Sequence, residues 1–284
     1  MRVALPDVGR CGKLDLRFAP RGGQTILSDF YCEVPFKITR TLSTAADGVA
    51  HVMLMHCTAG LFGGDRVEMK VRVERGARVR LTQQSATRVH PSEGRIAVQT
   101  SSIHVESGGE LELILDPVIP FAESRFQQKT LIEVEKGARL RYWESLMAGR
   151  IGRGEVWEFD EFSSETRLRS EGRLVFLDRF RLQPKCSMPS TPWGMNCATY
   201  TGTGLYAGND AANFAAALHD ALPKAGVDVL EDGLAVTRIL TSSGPEFHHC
   251  RGVFTGTLLA CGMPSPEGWQ DNSPGWSAAT PGGL

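Results

Sequence analysis

Six carboxylates stand out because their neighbours are apolar: Glu112, Asp116, Glu123, Glu144, Glu155 and Asp178 lie within or beside hydrophobic, strand-like segments. The best cases are Glu144 in Tyr142-Trp143-Glu144-Ser145-Leu146 and Asp178 in Val175-Phe176-Leu177-Asp178-Arg179. An acid in such company needs a partner, a metal ion or water to keep its charge. Arg179 is a ready partner for Asp178, and a solvated strand face accounts for Glu112. A softer donor set lies in Val49–Cys57, where alternation puts His51, Met53, Met55 and Cys57 on one face. Such ligands suit copper(I) and in part nickel, but Met and Cys also pack well in cores, and core packing is the expectation. His248, His249 and Cys250 are adjacent in a predicted helix, so they point in different directions and at most one or two could meet one ion.

The loop at Gly63-Gly64-Asp65 poses a different question. A phosphate cradle needs backbone N–H groups gathered at a helix N-terminus, usually with a Lys-Ser/Thr pair after the glycines. Here the chain runs instead into Val67-Glu68-Met69-Lys70-Val71-Arg72-Val73-Glu74, the period-two pattern of a half-buried strand. The glycines therefore mark a tight turn between strands, and Asp65 is the one residue of the loop worth testing for function. GxSxG, HExxH, zinc-type Cys/His pairs and a Walker sequence are all missing.

Elements that could position these side chains come from a repeat. Val71–Leu81 (VRVERGARVRL), Ile103–Leu113 (IHVESGGELEL) and Ile132–Tyr142 (IEVEKGARLRY) share the pattern [V/I]-x-V-E-x-G-[A/G]-x-[V/L]-x-[L/Y]. Each is a strand, a turn at Gly76, Gly108 or Gly137, and a second strand. Units of this kind bury one continuous core against their neighbours, which predicts a mainly β fold of stacked strand-turn-strand units, a flattened β-solenoid. Arg167–Leu182 extends the stack, which runs from about 14 to about 182. Pro184, Pro189 and Pro192 then break the pattern. A mixed part over about 198–261 follows, with strands at Ala198–Tyr206 and Ala235–Leu240. Two helices belong to it. The first is capped at Asn209-Asp210, faced by Phe214, Leu218 and Leu222 and stopped by Pro223. The second opens at Gly244-Pro245-Glu246. Residues 1–261 are read as one domain. In 262–284, nine of 23 residues are Gly or Pro, which predicts a disordered tail.

With 31 Lys+Arg against 32 Asp+Glu in 284 residues, the net charge is −1, and nothing in that balance attracts nucleic acid or an anionic membrane. The opening MRVALPDVGRCGKL lacks the apolar stretch of a secretory signal. No apolar run is long enough to span a bilayer. The 7 scattered cysteines, odd in number and without CxxC, suit a reducing compartment. The expectation is a soluble cytoplasmic protein.

Several short motifs fall in a recognisable order: Gly63-Gly64-Asp65, Leu81-Thr82-Gln83-Gln84-Ser85-Ala86-Thr87-Arg88-Val89-His90, Pro117-Val118-Ile119-Pro120-Phe121, Gly149-Arg150, Gly154-Glu155 and Gly233-Leu234-Ala235-Val236-Thr237-Arg238. Together, from about Leu14 to about Phe254, they resemble the urease accessory protein family UreD, also called UreH. The resemblance implies a solenoid-like β fold with helices near the C-terminus. It also implies a non-enzymatic chaperone that binds UreF, through it the GTPase UreG, and docks both on apo-urease. The resemblance further implies that nickel passes transiently through an interior channel, with no tightly bound cofactor. Acidic family positions tied to that channel match Asp65, Glu144 and Asp178, with Glu112 a softer match. Two departures from the family pattern are Ala59-Gly60 before the loop and the sequence beyond Phe254. Two other classes compete: a stand-alone cytoplasmic metal-binding or storage protein, and a β-solenoid enzyme acting on carbohydrate through paired carboxylates.

Overall fold

The computed structural model describes residues 9–39, 42, 43, 48–187, 189, 191, 194–230 and 233–256. Pro192 and the predicted tail at 262–284 lie outside the described residues. The chain opens with a hairpin of β1 (Cys11–Arg21) and β2 (Gln24–Cys32), then β3 (Phe36–Ile38), β4 (Leu42–Ser43) and β5 (Ala50–His56). Coils follow: β6 (Arg66–Val73), β7 (Arg78–Gln83) and β8 (Thr87–Val89); β9 (Ala97–Val105), β10 (Glu110–Ile114) and β11 (Val118–Pro120); β12 (Arg125–Val134) and β13 (Arg139–Met147). After a 3₁₀ turn at Ile151–Arg153 come a second hairpin, β14 (Glu161–Ser170) and β15 (Arg173–Leu182), then β16 (Tyr200–Ala207), α1 (Ala211–Ala221), β17 (Gly226–Leu230), β18 (Leu234–Thr241) and α2 (Gly244–Gly256).

These strands form two sheets. The first runs β15-β14-β12-β9-β6-β1-β2, the second β17-β18-β16-β13-β10-β7-β5-β3. Within each coil the two long strands do not pair with each other. They belong to opposite sheets, and each pairs in parallel with its counterpart in the next coil. The repeat is in register residue for residue: Val71 lies beside Ile103 and Ile103 beside Ile132, while Leu81 lies beside Leu113 and Leu113 beside Tyr142.

The repeated glycine has a local cause. Gly76, Gly108 and Gly137 adopt φ of 74°, 70° and 76°, which suit glycine, at the third position of turns closed by Ala77 N to Glu74 O, Gly109 N to Glu106 O and Ala138 N to Glu135 O. The repeated glutamate has a non-local one. Glu106 accepts from the turn amide of Arg75 one coil below at 3.2 Å, and Glu135 accepts from the equivalent amide of Ser107 at 2.9 Å. Each glutamate thereby satisfies a turn donor its neighbour leaves open. The Arg72 guanidinium beside Glu106 holds that carboxyl below its usual range, and the Ser107 amide does the same for Glu135.

Alternation places Leu14, Leu16 and Phe18 of β1, Val67, Met69, Val71 and Val73 of β6, and Leu111 and Leu113 of β10 in the core between the sheets. A second core lies on the outer side of the second sheet, where α1 and α2 cover Trp143 and Tyr206 with Phe214, Leu218, Leu222, Phe247 and Phe254. The predicted face of the first helix is therefore observed. Its cap differs: Asp210 makes no side-chain bond to an amide of the helix and instead accepts from the Tyr206 hydroxyl at 2.5 Å. Glycines at 202 and 204 of β16 let this layer close, since a Cβ at Gly204 would stand 2.4 Å from Phe254 Cε2.

The His/Met/Cys face of β5 corrects one expectation. Ala50, Val52 and Leu54 take the core, whereas Met53 and Cys57 are exposed and His51 and Met55 half-buried. In this strand the branched and small side chains fit the packed interior, which leaves the softer donors outside.

Candidate functional site

The interior changes character along the stack. In the first sheet one core-facing row runs through register partners Met69, Ser101, Thr130, Thr166 and Asp178, and the next through Val67, Gln99, Gln128, Ser164 and Phe180. The rows begin apolar at β6 and are polar from β9 through β14; at β15 the first ends on Asp178 and the second on Phe180. Ser101, Thr130, Ser164 and Thr166 are all buried. Opposite them, in the second sheet, Glu144, Thr203 and Arg238 are register partners on β13, β16 and β18. A seam of hydroxyl, amide and carboxyl groups thus runs between the sheets.

Glu144 is its deepest charge-bearing group, 9% exposed. Its Oε2 accepts from the Tyr142 hydroxyl at 2.8 Å and from Gln128 Nε2 at 3.3 Å, and its Oε1 accepts from Thr166 Oγ1 at 2.9 Å. Gln128 Nε2 also donates to Ser164 Oγ at 2.9 Å. Burial raises the Glu144 pKa, and the donated bonds from Tyr142 and Thr166 oppose that rise. Burial and the neighbouring carboxylate push the Tyr142 hydroxyl well above its usual range, so it stays a donor.

Asp178 closes the seam at the solvent side. Arg238 Nη1 donates to Asp178 Oδ2 at 2.7 Å and to Thr203 Oγ1 at 2.9 Å. The partner suggested by sequence, Arg179, instead pairs with Glu165 at 2.6 Å, because adjacent residues of β15 point to opposite faces. Asp178 and Arg238 both act electrostatically on Glu144, in opposite directions, so the three form one charge group.

Asp65 and Glu112 lie elsewhere. Asp65 is buried, and its Oδ1 and Oδ2 accept from the amides of Arg10 and Phe62, both at 2.9 Å. It clasps the chain entering β1 to the glycine turn, where Gly64 has φ of 95° and a Cβ on Gly63 would collide with Ser92 O at 2.4 Å. Glu112 alternates with core residues Leu111 and Leu113, which puts it on the outer face of the second sheet. There it lies 3.0 Å from Arg80 and 3.5 Å from buried Arg141, whose guanidinium also donates to Thr255 O at the end of α2. Asp116 pairs with Arg251 and Glu155 with Arg150, while Glu123 is exposed. His248 and His249 are exposed, and Cys250 lies on the buried face of α2. Among the described residues no group of three or more His, Cys, Asp or Glu is placed to hold a metal ion.

A sequence model of the UreD urease accessory protein family matches residues 10–270. The chain belongs to the UreD family. It is 34% identical over 252 residues to the urease accessory protein UreD of Deinococcus radiodurans, covering 87% of this chain and 89% of that one. UreD of Acetivibrio thermocellus is 35% identical over 177 residues, 62% of this chain and 68% of its own, and UreD 2 of Streptomyces griseus 34% over 230 residues, 80% and 75%. The UreD family resemblance drawn from short motifs therefore holds over most of the chain. Among the described residues no helix is long and apolar enough to cross a membrane.

Sequence reasoning overlooked Arg238, Thr166, Thr203, Gln128 and Ser164. A signal existed: Ser101, Gln128, Thr130, Ser164 and Thr166 occupy alternation positions that apolar residues hold in β6. Arg238 sat in a family motif without a role, since nothing local to β18 says that Asp178 faces it.

Proposed function

We propose that this chain is a non-catalytic scaffold for urease maturation, binding UreF and through it UreG on apo-urease, and that nickel(II) crosses it along the polar seam between the sheets. The observation that carries the proposal is that Glu144 and Asp178 both lie on the polar seam, near enough for Asp178 to act electrostatically on Glu144, with the Thr166 hydroxyl and the Gln128 amide group beside them. Oxygen donors of this kind bind a divalent cation with moderate strength, and a relay must release its cargo as well as take it. Glu144 supplies the inner oxygen ligands and Asp178 those nearer solvent. Asp65 and Glu112, held by backbone amides and by two arginines, serve the scaffold in this reading.

The test is Glu144→Ala and Asp178→Ala in cells that assemble urease. Each substitution lowers urease activation and nickel content while UreF and urease still co-purify with the chain. Loss of the complex would assign these acids a structural role, and full activation by the double variant would exclude the passage.

A further inference from the structure

The strongest cation in the seam belongs to the protein itself. Arg238 reaches from β18 across the interior to Asp178 on β15, and the same Nη1 is tied to Thr203, the register partner of Glu144. Its side chain is 44% exposed, whereas that of Asp178 is 16% exposed. The guanidinium is therefore anchored on the solvent-side acid of the seam and has solvent beside it. The Phe176 ring lies 6.0 Å from its carbon and gives it a second resting contact rather than a second anion.

We propose that Arg238 is a displaceable internal cation that occupies the nickel position at Asp178 until an entering divalent ion replaces it. This rests on the passage reading above. Two facts make the exchange reasonable. A dication and a guanidinium cannot share Asp178 at hydrogen-bond distance without strong repulsion, so one must leave. The half-exposed arginine can swing fully into water, where its charge is solvated, whereas Glu144 is held in the core by three hydrogen bonds. Arg238 would then set two properties at once. It keeps the seam close to neutral and folded when empty, and it weakens nickel binding enough for onward release.

The experiment is a nickel(II) chloride titration of the purified full-length chain by calorimetry, with thermal melting recorded for each variant. Arg238→Gln removes the competing charge and keeps a planar amide, so nickel affinity at the seam rises by about tenfold or more, and Asp178→Asn in that background abolishes the gain. Arg238→Lys keeps the charge but not the fork geometry, and gives an affinity between wild type and Arg238→Gln. Unchanged or weaker nickel binding in Arg238→Gln, with a folded melting profile, would overturn the proposal. If Arg238→Gln does not fold, Arg238→Lys decides: an affinity equal to wild type or lower rejects displacement. If neither Glu144→Gln nor Asp178→Asn changes nickel binding in any background, the passage reading fails instead.

Discussion

The Thr166 hydroxyl on one sheet donates to Glu144 on the other at 2.9 Å, so a hydrogen bond spans the interior where most of the core is hydrocarbon. Together with Tyr142 and Gln128 it surrounds the carboxyl with donors. Thr166→Val keeps the shape and removes one donor from a buried acid. We expect a loss of about 1–3 kcal/mol, read by urea denaturation at neutral pH. No loss would mean that Glu144 draws no net stability from the cross-sheet bond.

The raised pKa of Glu144 has a definite pH signature. Burial makes the folded state bind a proton more readily than the unfolded chain, so from the ordinary glutamate value of 4.5 up to the raised one the folded state carries more protons. Stability from this group therefore falls as pH rises through that window. Glu144→Gln removes the effect. Its stability relative to wild type should improve as pH is raised from 4.5 toward neutrality, measured as the difference in Tm. Glu106, Glu135 and Glu161, all held below 4.5, act in the opposite sense, with stability present above 4.5 and lost at lower pH, and they are common to both proteins. A difference that stays flat with pH would contradict the raised value.

Two glycines should respond differently to alanine. At Gly137 nothing stands within 4 Å of an added Cβ, so only the positive φ of 76° opposes it and Gly137→Ala costs about 1–2 kcal/mol. At Gly204 the Cβ would meet Phe254 at 2.4 Å, so Gly204→Ala costs more, about 3 kcal/mol, unless α2 moves. Chemical denaturation of the two variants orders them, and equal costs would contradict the close packing of α2.

Phe254 is fully buried and packs on Trp143 and Phe214 with ring centroids 5.2 and 5.5 Å apart. Phe254→Ala should cost about 3–5 kcal/mol and raise amide exchange in α2 more than in β6 or β9. Uniform exchange changes would show that the outer core and the sandwich unfold as one unit.

The sequence by itself determined the stack. Alternation of apolar residues and a glycine needing φ above zero are local properties, so Val71, Ile103 and Ile132 could be aligned, and their turns placed, before any contact was known. It also held enough to put Glu112 outside, since Leu111 and Leu113 flank it. Glu144 was harder, because its neighbours Trp143 and Ser145 are buried too, on the side covered by α1 and α2. Alternation cannot choose a face for a strand buried on both. The choice of Arg238 rather than Arg179 for Asp178 was decided only by tertiary structure. Parity assigns a side chain to a face, but which strand of the other sheet lies opposite depends on how many coils stack and where the chain reverses. The same holds for Asp65, whose two amide donors come partly from Arg10, 55 residues away. A short-range pattern carries periodicity and turn chemistry, while the pairing of charges across a core is set by the packing of the sheets.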